Sequence, residues 1–135
     1  MSRRILLVEA DAILGAVLSE VLRHNGYEVV LVRTLINDEI EHIDSMNTVI
    51  LDIDTTSAEK ELGWLDARPH DDESLPIVLM GLQAPQELHY RLGVHRGFLE
   101  ANALTLVKKP FRNEELLAAV RQAHEGRWPE QANGK

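Results

Sequence analysis

The amino-acid sequence predicts an α/β domain: a doubly wound, five-stranded parallel sheet covered by helices on both faces. Three observations carry this expectation. Short continuous apolar runs recur along the chain and end in charged residues, the pattern of strands buried on both faces of a parallel sheet. Segments with helical apolar spacing lie between them, so strand and helix alternate. The 135 residues hold no repeat, low-complexity tract or dividing linker. One domain over residues 1–126 is therefore expected, with 127–135 a disordered tail.

Ile5-Leu6-Leu7-Val8 is the first strand, running into Glu9 and Asp11. From Ala12 the pairs Ile13/Leu14, Val17/Leu18 and Val21/Leu22 repeat at four-residue spacing, with polar Ser19, Glu20 and Arg23 between them, which predicts a helix that Asn25-Gly26 ends. Tyr27 to Val32 is rich in β-branched residues and reads as the second strand, followed by a weaker helix over Asp38 to Ile43. Thr48-Val49-Ile50-Leu51-Asp52 is a third strand ending in a carboxylate. Thr56 and Glu59 then offer a capping box for a helix that turns Leu62 and Leu65 inward and stops at Pro69. Pro76 to Met80 is the fourth strand. Gln86 to Glu100 reads as an irregular helix because it carries Gly93 and Gly97. Leu104 to Val107 is a short fifth strand, and Asn113 opens a final helix with Leu116, Leu117, Val120 and Ala123 on one face.

Composition narrows the function classes. Hydrophobic residues make up 44% of the chain and charged residues 27%, which predicts a packed core. The 22 acidic against 14 basic residues give a net charge of −8, the wrong sign for a protein that binds a phosphate backbone, so no direct nucleic-acid partner is expected. There is no cysteine, hence no disulfide, thiolate metal site or cysteine nucleophile. The apolar run after Arg3-Arg4 is too short for a signal peptide, and no run approaches the roughly 20 residues of a membrane span. A cytoplasmic protein without a membrane partner is the expectation.

In an open α/β sheet, ligands bind beyond the carboxyl ends of the strands. Those ends carry Glu9-Ala10-Asp11, Asp52-Ile53-Asp54 and Lys108-Lys109-Pro110, so carboxylates and an ammonium should meet at one edge. Repulsion among such carboxylates favours a hard cation with oxygen ligands. Taken singly, Asp11 and Asp54 read better as helix caps and the lysines as solvated. Asp52 is different, because a charge ending an apolar strand is costly unless a cation or Lys109 compensates it.

These residues resemble the receiver family of two-component systems. The resemblance runs from Ile5-Leu6-Leu7-Val8-Glu9 through Val49-Ile50-Leu51-Asp52 to Lys109-Pro110-Phe111 with Asn113-Glu114-Glu115-Leu116-Leu117, and covers about residues 3 to 125. It implies a flavodoxin-like fold with strand order 2-1-3-4-5 and a bacterial response-regulator receiver domain acting in phosphorelay signal transduction. Asp52 would be the phosphoacceptor and Lys109 its ammonium partner. Glu9, Asp52 and Asp54, with Asp11 as a further candidate, would be the carboxylates available to Mg²⁺. A histidine kinase or phosphotransfer protein would be the phosphoryl donor, and an effector domain, a downstream protein or a second copy of the chain the recipient of the signal. The resemblance also implies a cis Lys109–Pro110 peptide and, at Asn102, a left-handed turn before the fifth strand.

Three positions depart from the family pattern. Ala10 stands where a second acid usually supplies a Mg²⁺ ligand, so weak or absent Mg²⁺ binding is expected. Gly81 replaces the hydroxyl residue that follows the phosphoryl group, and Leu106 replaces the aromatic partner of that switch. The segment from Pro76 to Lys109 is also longer than the family spacing, with the extra residues between Gly81 and Glu100. Two alternatives therefore stay open beside an atypical phosphoprotein: a phosphorylation-independent pseudo-receiver binding module and, as a lesser reading, a metal-dependent hydrolase. No nucleophile elbow or phosphate-cradling Gly-rich loop supports an enzyme beyond self-catalysed transfer and autodephosphorylation at Asp52. His89 and His95 lack the spacing that stacks two zinc ligands on a helix. Trp64 and Trp128 read as packing or tail residues rather than a base-stacking platform.

Overall fold

The computed structural model describes residues 3–35, 43–54, 58–67, 75–82 and 105–125. Five strands, β1 (Arg3–Val8), β2 (Tyr27–Val32), β3 (Thr48–Asp52), β4 (Ile77–Gly81) and β5 (Thr105–Lys108), form one sheet in the order β2-β1-β3-β4-β5. Every pairing is parallel. Helices α1 (Ala12–His24), α2 (Ala58–Ala67) and α3 (Asn113–Glu125) cover it, with a 3₁₀ turn at Ile43–Ser45. The expected helices at 38–43 and 86–100, the capping residue Thr56, Pro69, Asn102 and the tail lie outside the described residues, apart from Ile43, which opens the 3₁₀ turn.

Successive strand residues point to opposite faces, and both faces are covered, so the strands are apolar without alternation. Every residue of β3 and β4 is buried. Leu6, Val8, Val49, Leu51, Ile77 and Leu79 pack with Leu62 and Leu65 of α2 on one face. Ile5, Leu7, Ile50, Val78 and Met80 pack on the other with Leu18 and Leu22 of α1 and Leu116, Val120 and Ala123 of α3.

Helix α1 forms where the apolar pairs predict it, and the structure shows which of their members are buried. Of each apolar pair only one member faces the sheet: Leu18 and Leu22 are buried, whereas Ile13 and Val17 are 78% and 51% exposed. Adjacent helical residues are about 100° apart, so a pair cannot share a narrow buried stripe. The space is taken instead by Gly15 and by Ser19, a polar residue that is nonetheless buried. Asp11 caps the helix, its Oδ1 accepting from the amides of Ile13 and Leu14 at 3.0 Å each. Gly26, with φ of +93°, follows its C-terminus. At the start of α3 the reciprocal contact comes from Glu115, whose Oε1 accepts from the Arg112 amide at 2.7 Å, rather than from Asn113.

Candidate functional site

The register of the sheet assembles the site. Val8 pairs with Leu51, so Glu9 and Asp52 leave neighbouring strands side by side. Asp52 pairs with Met80, and Gly81 with Lys108, which brings the β3, β4 and β5 ends to the same edge. Three further backbone bonds carry the pairing past the strands: Glu9 N donates to Val32 O at 2.9 Å, Ile53 N to Met80 O at 2.9 Å, and Lys109 N to Gly81 O at 2.7 Å. The Lys109–Pro110 peptide that follows is cis, as expected.

Lys109 Nζ lies 2.8 Å from Asp52 Oδ2 and 3.2 Å from Asp54 Oδ2, bridging the two carboxylates. Asp52 is 4% exposed. Its Oδ1 accepts from the Asp54 amide at 2.8 Å. Asp54 in turn accepts from the Leu82 amide through Oδ1 at 3.2 Å. Burial alone would raise the Asp52 carboxyl, but the adjoining Glu9 carboxyl and the hydrogen bonds from Lys109 and the Asp54 amide outweigh it and hold the group below its usual value of 3.8. Lys109 shows the same balance from the other side. Burial disfavours its charge, while Asp52 and Asp54 together raise it above 10.5.

Glu9 is 2% exposed. Its Oε2 accepts from the Asp11 amide at 3.1 Å, and its Oε1 is buried with no hydrogen-bond partner among the described residues. Burial, reinforced by the adjoining Asp52 carboxylate, pushes Glu9 up from 4.5 to about 7. The site therefore pairs an ionised Asp52 with an ammonium, beside a Glu9 carboxyl whose neutral form burial favours.

The four other positions singled out by sequence differ in their surroundings. Asp11 is exposed at the head of α1, with Oδ1 committed to its cap. Ala10 is exposed and offers only its carbonyl, which accepts from Arg33 Nη2 at 3.4 Å. Leu106 lies on β5, 36% exposed. Gly81 stands beside the acids, and a Cβ placed on it would come within 2.7 Å of Ile53 Cγ1 and 3.3 Å of Asp54 Oδ1. Ile53 thus fills the space a larger residue would need. Among the described residues, no three Asp, Glu or His side chains are arranged to hold a metal ion together. None of their helices is long and apolar enough to cross a membrane.

The clamp between Asp54, the Leu82 amide and Lys109 was not anticipated from sequence. The signal available was only the placement of an acid two residues beyond Asp52. The packing of Ile53 against Gly81 carried no sequence signal, since it depends on two strand ends meeting.

The five-stranded parallel sheet, in the order β2-β1-β3-β4-β5, thus carries an acid pair and a lysine at its carboxyl edge. Solved structures with this fold include response regulators and signal receiver domains. A response regulator from Thermotoga maritima superposes with a TM-score of 0.70 at 15% identity, covering 93% of this chain and 99% of that one. The signal receiver domain of a putative LuxO repressor protein from Vibrio parahaemolyticus gives 0.69 at 20% identity, covering 93% and 92%. A putative response regulator from Chloroflexus aurantiacus gives 0.69 at 22%, covering 93% and 99%. No protein-family model matches the sequence, and no curated protein sequence does. The likeness is one of fold.

Proposed function

We propose that the chain is a receiver-like module of a two-component phosphorelay that accepts a phosphoryl group at Asp52 and signals through protein–protein contacts. The observation that carries this reading is the pairing of a buried, ionised Asp52 with Lys109 at 2.8 Å on the ligand-binding edge of the sheet. A carboxylate oxygen of Asp52 attacks the phosphorus of a phosphohistidine on a kinase or phosphotransfer protein. The P–N bond breaks, and the imidazole keeps the electron pair and takes a proton. Lys109 offsets the charge that accumulates on the phosphoryl oxygens.

The unpartnered Oε1 of Glu9 is a buried acceptor that a cation would satisfy, so the residues present fit Mg²⁺. Glu9 and Asp52 would hold it, with water in place of the ligand that Ala10 does not provide. Bound there, the ion would screen the incoming phosphoryl charge.

The test is incubation with acetyl phosphate and Mg²⁺ followed by intact-mass measurement. A phosphoryl mass that Asp52→Asn abolishes is the expected result. No added mass under any condition would replace this reading with the phosphorylation-independent binding module.

A further inference from the structure

Lys109 offsets the acid cluster from one side only, shared between Asp52 at 2.8 Å and Asp54 at 3.2 Å. On the Glu9 side, the basic residue at the carboxyl ends of β1 and β2 is Arg33. The Glu9 amide donates to Val32 O at 2.9 Å, so the pairing of β1 with β2 runs one residue past both strands and seats Arg33 beside Glu9. Neighbouring strands lie about 4.8 Å apart, which puts the Arg33 backbone roughly one strand spacing from Glu9 and two from Asp52. Its side chain reaches back across the exit of β1. Arg33 Nη2 donates to the carbonyl of Ala10 at 3.4 Å, and Ala10 has no charge of its own to set against the guanidinium. Among the described residues Arg33 is in no ion pair, and Glu9 Oε1 has no hydrogen-bond partner. The guanidinium therefore acts on the acids through space rather than by contact.

We propose that Arg33 is a built-in counter-charge to the Glu9–Asp52 pair, one that lowers the pocket's affinity for a divalent cation and takes over part of the screening such a cation would supply. The proposal rests on the reading that Glu9 and Asp52 hold Mg²⁺, and names a residue that opposes it. Ala10 removes a ligand, whereas Arg33 adds a repulsion. The two act in the same direction by different means, so neutralising position 33 should tighten Mg²⁺ binding with no ligand added. The guanidinium is exposed, and water screens it, which limits the effect to a modest factor.

The test is calorimetric titration of Mg²⁺ into wild type, Arg33→Gln, Arg33→Lys and Arg3→Gln at one low ionic strength. Arg33→Gln should bind Mg²⁺ roughly three- to tenfold more tightly than wild type, the Coulomb effect of one charge on a divalent ion about 8–10 Å away in largely aqueous surroundings. Arg33→Lys keeps the charge and should match wild type. Arg3→Gln makes the same change in net charge at the opposite end of β1 and should match it too. Because Arg33 is exposed, none of its substitutions opens the core. Equal affinity in wild type and Arg33→Gln overturns the proposal. So does equal tightening in Arg33→Lys, which would make the side chain's shape the cause, or in Arg3→Gln, which would make it net charge. No binding by any of the four overturns it as well. Acetyl phosphate labelling of Asp52 is scored apart. If Arg33→Gln tightens Mg²⁺ while Asp52 is never labelled, the phosphoacceptor reading fails and this one stands; labelling with unchanged Mg²⁺ affinity gives the reverse.

Discussion

Replacing Glu9 with Gln should leave stability nearly unchanged at pH 5 and raise it at pH 8.5. The folded protein favours the neutral carboxyl, which titrates near 7 instead of 4.5. The stabilisation that goes with the neutral form is thus complete below pH 4.5 and is lost as pH rises through 7. At about 1.4 kcal/mol per tenfold change, the displacement amounts to roughly 3 kcal/mol, of which about 2 to 3 kcal/mol falls between pH 5 and 8.5. Gln is never charged, so the variant escapes that loss. Its amide also keeps an oxygen for the Asp11 amide and offers an N–H where Glu9 Oε1 now has no partner. Urea denaturation of both proteins at the two pH values, with divalent cations chelated, measures the difference, and comparing variant with wild type cancels the titrating groups that do not interact with Glu9. A stability difference that is the same at pH 5 and pH 8.5 would refute the reasoning, because Glu9 would then titrate alike in the folded and unfolded chains.

Three further outcomes follow from the site and its supports. Ala10→Asp should tighten Mg²⁺ binding in a calorimetric titration, since a carboxylate would replace a water ligand; equal affinities would mean that Asp11 or Asp54 already fills that position. Gly81→Thr should destabilise the protein by about 1–3 kcal/mol in chemical denaturation, because the new side chain meets Ile53 Cγ1 at 2.7 Å, and Ile53→Ala in the same chain should recover part of that loss. Asp11→Ala should cost about 1 kcal/mol by removing the acceptor for two α1 amides, while Asp11→Ser should retain most of the stability; equal losses in thermal melts would argue against the cap.

The sheet was legible because burial on both faces leaves its strands uniformly apolar, so Ile5 to Val8 and Val49 to Leu51 announced themselves and their terminal acids marked the working edge. Asp52 stood out for the same reason: a charge at the end of a buried strand demands compensation. What sequence could not supply was which group sits against which. Asp54 reads as an ordinary turn acid until the Leu82 amide and Lys109 are seen to converge on it. Ser19 and Gly15 lie on the buried stripe of α1 while Ile13 and Val17 do not, because the angle at which the helix meets the sheet selects the stripe, and hydropathy alone does not encode that angle. Glu61 offered no hint of burial either, as an acid in the first turn of a helix is commonly solvated.

Glu61 is 1% exposed, and its Oε2 accepts from Thr34 Oγ1 and from the Leu35 amide, both at 2.7 Å. A helix side chain thereby completes the backbone of a segment that precedes it by 26 residues. Helix α2 is consequently not an interchangeable module. A chimera that imported residues 58–67 without an acceptor at position 61 would leave the amide of fully buried Leu35 unpaired, a penalty of about 1–3 kcal/mol that no improvement in the transplanted helix's own apolar face would address. Segment exchange in this scaffold must move the strand-two exit and its distant carboxylate as one unit.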